Sequence, residues 1–363
     1  MQTARILPSL SLPYHDKTAD FSADYSPAQK TALDFSNAEN PLGCSGQARQ
    51  AIINAAGRAG HYPSPNSAAL LRAIETHDGL KDRGLGTLAT AGAGAAILLC
   101  VQALMKPGQH VAMPEASFPL PLFGATIGHG LGRMVMMGPD LSIDLNNLAA
   151  AISPATAFAF LCNPNNPTGE LIPPQTIIDF ARSLPCPLVV SEANADYTGV
   201  SLLDHPDLPE NLIIVRSFSK IHGLAGLRVG YVVASEKMLR RLSAAHCPFT
   251  VNIVAEEAAV AALFDHAHVK TSRAFMTEQR LFLQDRIAAL GLNVLPSAAN
   301  TMLVEIHPSF DNAAEFTRAL AMKGVTVIDG GDFCAAAARY IRISPRKADQ
   351  NALLVRALEE VVA

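Results

Sequence analysis

The chain has 363 residues, 49% of them hydrophobic and 17% charged. That balance excludes a disordered polymer and is long enough for a large core, with two domains expected. The formal net charge of −4 gives no electrostatic basis for holding nucleic acid. Six cysteines lie far apart, at 44, 100, 162, 186, 247 and 334, with no C-x-x-C pair. The spacing offers no metal ligand set, and a reducing, cytoplasmic compartment is the simpler expectation. The apolar runs fall short of a membrane span, and no basic head precedes an apolar stretch at the N-terminus, so neither anchor nor signal segment is expected.

Residues 1 to about 33 are polar and irregular, with Pro8, Pro13 and Pro27, and read as an arm with at most short structure. In Leu33-Asp34-Phe35-Ser36-Asn37-Ala38-Glu39-Asn40-Pro41-Leu42-Gly43, Asn-Pro followed by Gly marks a turn. Gln47 to Gly57 has helical spacing. His61-Tyr62-Pro63-Ser64-Pro65 is a rigid extended link, because a residue before proline avoids the α region. Asn66 or Ser67 is placed to cap a helix carrying Leu70, Leu71 and Ile74.

Thr90-Ala91-Gly92-Ala93-Gly94-Ala95-Ala96 joins a short strand to an apolar helix, Ile97 to Leu104. Small residues there let backbone N–H groups approach an anion at a helix N-terminus. A strand follows at Val111 to Met113, then Pro114-Glu115-Ala116-Ser117-Phe118-Pro119. Ala157 to Cys162 is a continuous apolar run, the kind buried on both faces of a parallel sheet, and it ends in Asn163-Pro164-Asn165-Asn166-Pro167-Thr168-Gly169. After a helix around Gln175 to Leu184, the strand Pro187 to Val190 ends in Ser191-Glu192-Ala193-Asn194.

Leu212 to Val215 reads as a buried strand leading into Arg216-Ser217-Phe218-Ser219-Lys220-Ile221-His222-Gly223-Leu224-Ala225-Gly226-Leu227-Arg228. Ser217, Ser219 and Arg228 offer neutral and charged donors together, which suits a phosphate. Lys220, at a strand end among small residues, is placed to form a Schiff base with a carbonyl compound. Beyond it come a strand from Val229 to Ala234, a basic helix from Ser235 to Leu242, and helical stretches through Phe264 and from His266 to about Leu290. The rest alternates: strands at Asn293 to Leu295, Thr301 to Ile306, Val325 to Ile328 and Tyr340 to Ser344, with helices from Ala313 to Met322 and Ala348 to Val362. Buried strands alternating with helices predict an α/β protein with a mostly parallel central sheet.

The Lys220 loop, the Asn163–Gly169 heptapeptide and the Asn-Ala-Glu-Asn-Pro-Leu-Gly stretch together resemble the pyridoxal-phosphate-dependent aminotransferases of fold type I, class I/II. The likeness is greatest to the branch holding histidinol-phosphate aminotransferase and threonine-phosphate decarboxylase, and it covers nearly the whole chain. It implies an arm and leading segment over 1–45, a large cofactor domain over 46–250 and a small α/β domain over 251–363. It also implies pyridoxal 5′-phosphate as cofactor and a homodimer with shared active sites.

Carried over residue by residue, the resemblance makes Lys220 the catalytic lysine. Gly92, Ala93 and Gly94 would cradle the cofactor phosphate with Ser217, Ser219 and Arg228, and Tyr62 would reach the phosphate of the other subunit. Phe118, with Phe123 as its rival, would stack on the ring, and Asn166 would hydrogen-bond the phenolic oxygen. Asn40 and Gly43 would line the substrate side, and Arg342 would clamp an α-carboxylate through two parallel hydrogen bonds.

The chain departs from the family at four places. Ser191 stands where an aspartate pairs with the pyridine nitrogen, and Asn194 stands where a tyrosine touches the phenolic oxygen. No acid lies near Gly94, and Ile328 replaces an arginine that helps hold a substrate phosphate. Glu192 cannot take the aspartate's place, because adjacent strand residues face opposite ways. The expected activity is transamination of a small amino acid or amine. The alternatives are another reaction of the same cofactor (decarboxylation, racemisation or elimination) or a cofactor-binding protein with reduced turnover.

Overall fold

The computed structural model describes residues 4–7 and 33–363. The arm expected before residue 33 therefore lies outside the described residues, apart from one short strand. The first nine strands are β1 (Ala4–Leu7), β2 (Leu33–Asp34), β3 (Leu85–Thr90), β4 (His110–Pro114), β5 (Leu131–Val135), β6 (Thr156–Cys162), β7 (Leu188–Ser191), β8 (Leu212–Ser217) and β9 (Gly230–Ser235). All but β2 form one sheet, in the order β1-β5-β4-β6-β7-β8-β9-β3. The run β5-β4-β6-β7-β8 is parallel throughout, while β1 and β9 run against their neighbours.

The helices of this part are α1 (Gly46–Ala56), α2 (Ala68–His77), α3 (Gly92–Leu104), α4 (Leu120–Ile127), α5 (Leu145–Ala150), α6 (Pro174–Ser183), α7 (Glu236–Ser243) and α8 (Ile253–Leu263). Side-chain alternation divides the sheet into two faces. Phe158, Phe160, Cys162, Val189, Ile213 and Val215 pack with α3, α4 and α7. Ala159, Leu161, Leu188, Val190, Leu212 and Ile214 pack with α2, α6 and α8 on the other side. Burial on both faces explains why β6, β7 and β8 read as unbroken apolar runs.

The C-terminal part holds α9 (His266–Ala288), β10 (Met302–Glu305), α10 (Ala313–Met322), β11 (Val325–Thr326), β12 (Ile328–Asp329), β13 (Tyr340–Ile343) and α11 (Ala348–Val362). A three-stranded sheet, β10-β13-β12, carries its own core of Leu283, Ile287, Phe316, Leu320, Ile341, Ile343 and Leu354. The leading segment joins this unit, because β2 pairs with β11 and Phe35 lies in the same core.

Four sequence expectations shift. The strand expected over Asn293 to Leu295 is a single bridge from Val294 to Val304. The strand expected over Val325 to Ile328 is divided into β11 and β12. Ser67 occupies the N-cap of α2 in a left-handed conformation, but its side chain makes no cap bond; Ser64 Oγ accepts from Ala68 N–H instead, at 3.3 Å. Finally, Val251, Ala255, Ala258, Ala259 and Ala262 sit in the first, larger core. We therefore propose that the division between domains falls at α9, later than the expected 250/251.

Candidate active site

The carboxyl ends of β6, β7 and β8 stop at one edge of the sheet, with Cys162 opposite Ser191 and Ser191 opposite Val215. A crevice beyond the strand ends is where an open parallel sheet holds a ligand. Here a cavity of about 410 Å³ is walled by Asn37, Ala38, Glu39, Ala93, Gly94, Phe118, Cys162, Asn166, Ser191, Asn194, Ser217, Ser219, Lys220 and Arg228, among others. A second cavity, of about 470 Å³, lies by Asp140, Glu170, Arg280 and Ser297. It has no lysine on its wall, so amine chemistry belongs to the first.

One end of the first cavity gathers hydrogen-bond donors and a guanidinium. α3 starts there with Ala91 at its N-cap and no side-chain cap bond, so its first N–H groups stay open to a ligand. Ser219 N–H donates to Ser217 Oγ at 3.1 Å, and Arg228 Nη1 reaches Ser219 Oγ at 3.4 Å and Ala225 O at 2.8 Å. Gly92 has φ +83°, and a Cβ there would stand 2.7 Å from Arg228 Nη2, so only glycine leaves room for the guanidinium. Arg228 itself sits at φ +54°, a conformation that non-glycine residues rarely adopt and that tends to cluster at ligand sites.

Lys220 is partly buried and donates to Ala38 O at 3.0 Å. Burial, with Arg342 and Arg228 adding repulsion against Glu39's attraction, pulls its ammonium down to about 8. A lysine poised near neutrality is a nucleophile and a base at working pH. Arg342 is buried, 4% exposed, and donates through Nη1 to Asn166 Oδ1 at 3.1 Å and through Nη2 to Ser36 O. Its guanidinium carbon lies 5.6 Å from the Phe333 ring centre. The heptapeptide is held by its own amides: Asn163 exchanges two hydrogen bonds with the Ile172 backbone, and Asn165 binds Ala116 O, Thr168 Oγ1 and Ser117 Oγ.

Sheet parity decides where the acids go. Ser191 shares the α3 face with Val189, while Glu192 points away. There Glu192 accepts from Ser201 Oγ at 2.6 Å, Leu202 N–H at 2.7 Å and Arg216 Nη1 at 3.0 Å. Asp196 takes the other arm of Arg216 at 2.6 Å. Burial pushes the Glu192 carboxyl up, opposed by Arg216 and the two neutral donors. Neither Glu192 nor Asp196 lies on the cavity wall. Arg216→Met is expected to destabilise the protein by roughly 3–5 kcal/mol, because it strands a buried carboxylate. Urea unfolding measures this, and a loss below about 1 kcal/mol, the scale of an exposed pair, would rule out that role.

The cavity thus gathers Ala93, Gly94, Phe118, Asn166, Ser191, Asn194, Ser217, Ser219, Lys220 and Arg228 from the sequence expectations. Phe118 is on the wall and its rival Phe123 is not. Three expectations take other places. Asn40 is buried and staples the leading segment, donating to Ile221 O at 2.7 Å and Ser272 Oγ at 2.9 Å. Gly43 packs under the lysine loop, where a Cβ on Gly223 would stand 2.1 Å from Gly43 O. Tyr62 is 88% exposed and packs on Phe249, ring centres 5.6 Å apart, away from the cavity wall. Of the leading segment, Asn37, Ala38 and Glu39 stand on the wall, residues that the sequence reading placed in that segment but did not single out.

A partly buried lysine beside an open helix N-terminus, two serines and an arginine is an arrangement that suits a small phosphate-bearing carbonyl compound. A profile of the family described as Aminotransferase class I and II matches residues 30–358. The chain is 35% identical over 345 residues to the histidinol-phosphate aminotransferase of Moorella thermoacetica, covering 92% of this chain and 86% of that one. It is 34% identical over 361 residues to histidinol-phosphate aminotransferase 1 of Cupriavidus pinatubonensis, covering 96% and 92%. The crystal structure of histidinol-phosphate aminotransferase from Sinorhizobium meliloti, in complex with pyridoxal-5′-phosphate, superposes with a TM-score of 0.81 at 26% identity, over 91% of this chain and 90% of that one. The chain belongs to the class I and II aminotransferases. Among the described residues no helix is long and apolar enough to cross a membrane.

Proposed function

We propose that the protein is a pyridoxal-phosphate-dependent aminotransferase acting on an amino acid or amine, with Lys220 as its catalytic residue. The observation that carries this is the placement of Lys220, its ammonium pulled to about 8, in one cavity with the dianion cup. The residues fit the cofactor. The α3 N-terminus, Ser217, Ser219 and Arg228 would hold its phosphate, and Phe118 would cover its ring. Asn194 Oδ1, buried without a hydrogen-bond partner, would meet a donor there. The bound cofactor supplies the sink for the electron pair left at Cα.

The chain's own groups do the rest. Lys220 Nζ would hold the cofactor and, once released, would act as the base that takes up and gives back the proton of substrate Cα. Arg342 holds a carboxylate and, through Asn166, ties substrate binding to the ring pocket. The curated relatives are histidinol-phosphate aminotransferases, yet Ile328 lies directly opposite Arg342 in the sheet and offers no charge. An unphosphorylated α-amino acid fits this pair better than a phosphorylated amine. The test is an absorbance spectrum of purified protein followed by a panel of amino acids and histidinol phosphate. A visible band that bleaches with one of them identifies the substrate; no band and no bleaching refutes the reading.

The exposed Tyr62 and Phe249 suit a second copy of the chain, whose cofactor phosphate Tyr62 would reach. Phe249 sits at φ +61°, strained for a bulky residue, and its N–H is held by Pro65 O at 2.9 Å. Tyr62→Phe is expected to weaken cofactor binding by about 1 kcal/mol, the scale of one hydrogen bond. Sedimentation at assay concentration checks the geometry, and a fully active monomer contradicts it.

A further inference from the structure

We infer that this cavity keeps the ring nitrogen of its cofactor unprotonated, with Ser191 as the neutral hydrogen-bond donor facing it. The inference rests on the reading that pyridoxal 5′-phosphate occupies the Lys220 cavity.

Among the described residues that line the cavity, Glu39 is the only acid. It comes from the leading segment rather than from the sheet, and Arg346 Nη1 already stands 3.5 Å from its Oε2. At the sheet edge the groups on the α3 face are Cys162, Ser191 and Ser217, all neutral. The Ser117 and Ser191 hydroxyls reach the Cys162 thiol, and burial holds that thiol neutral, up at about 11.

The carboxylates nearest in sequence are on the wrong side of the sheet and already used. Glu192 is 1% exposed and bonded by Ser201, Leu202 and Arg216, and Asp196 is bonded by Arg216. Turning either towards the cavity would break one of the two ion pairs that the buried Arg216 makes and leave that arm of its guanidinium unpaired, a costly change for a buried charge. The charges that do face the cavity are mostly positive: Lys220 and Arg228 on its wall, and Arg342 bonded to the wall residue Asn166. Like charges disfavour a pyridinium cation, and an unpaired pyridine nitrogen is an acceptor that a serine O–H can satisfy.

The consequence is a weaker electron sink than a carboxylate-supported ring would give. Proton removal at Cα then depends more heavily on Lys220. No proton is transferred in the resting contact: the Ser191 hydroxyl keeps its hydrogen and the ring nitrogen keeps its lone pair.

The experiment loads the full-length protein with cofactor labelled with ¹⁵N at the ring nitrogen and records that resonance on both sides of neutrality. The wild type is expected at the free-pyridine position throughout. Ser191→Asp is expected to shift the resonance to the pyridinium position, and Glu39→Gln to leave it where it was. A wild-type resonance at the pyridinium position overturns the inference, and its loss in Glu39→Gln would name Glu39 as the partner instead. Should Ser191→Asp not fold, the wild-type spectrum decides alone. A bound cofactor with a protonated ring sinks this inference only. No bound cofactor, and no borohydride-stable adduct at Lys220, sinks the reading of the site and this inference with it.

Discussion

Lys220→Ala is expected to lower turnover by at least about 100- to 10,000-fold, the range that a positioned proton-transfer group contributes. The cofactor still binds, because the open α3 N-terminus, Ser217, Ser219 and Arg228 are untouched. Borohydride treatment followed by peptide mapping should find the reduced adduct on Lys220 in the wild type and nowhere in the variant. An adduct on a different lysine would overturn the assignment.

The same residue sets a pH dependence. With its ammonium pulled from 10.5 to about 8, Lys220 is neutral roughly 300-fold more often near pH 7 than an ordinary lysine. Cofactor attachment should therefore rise with pH to a plateau above about 8 rather than above 10.5. The sign for stability follows from proton counting. The folded protein binds fewer protons here than the unfolded chain, so burial of Lys220 penalises the cofactor-free protein below about 8, and the penalty fades between about 8 and 10.5. Cofactor-free wild type should gain stability over that window relative to Lys220→Ala, measured by denaturant unfolding at each pH.

Arg342→Ala should lower kcat/KM for carboxylate-bearing substrates by roughly 2–5 kcal/mol, about 30-fold to several thousandfold. The guanidinium is buried, and its substrate partner would be left without a counter-charge. Two further effects follow from its contacts. Asn166 loses the donor at 3.1 Å that orients its amide. Lys220 loses a repelling cation, so its pKa should rise and the attachment profile should move to higher pH. Arg342→Lys should restore the second effect but little of the lost kcat/KM, since an ammonium cannot present two parallel donors. Unchanged amino-acid kinetics in Arg342→Ala would place the carboxylate elsewhere.

Much of the site was legible before the fold was seen. The heptapeptide and the lysine loop each follow an apolar run, and each run became a strand buried on both faces, β6 and β8. Parity along a strand also foretold that Glu192 would turn its back on Ser191, and it does so to bind Arg216. The turn that Asn40-Pro41 and Gly43 signal is present, with Gly43 N–H donating to Asn40 O at 3.0 Å, while the Asn40 amide donates to Ile221 and Ser272, contacts that no local pattern states.

By itself the sequence determined what short-range chemistry governs: which runs are strands, where α3 opens, and that Lys220 stands among hydroxyls and an arginine. Those features depend on neighbours within a turn or two, and the order of residues states them directly. Only the tertiary structure decided what depends on distant partners. Lys220 meets Ala38 across 182 positions and Arg342 meets Ser36 across 306. The assignment of α8 to the larger core, the capture of Asp196 by Arg216 and the neutrality of the sheet edge are of the same kind. Each follows from which faces pack together, and packing is set by the whole apolar surface rather than by any local stretch.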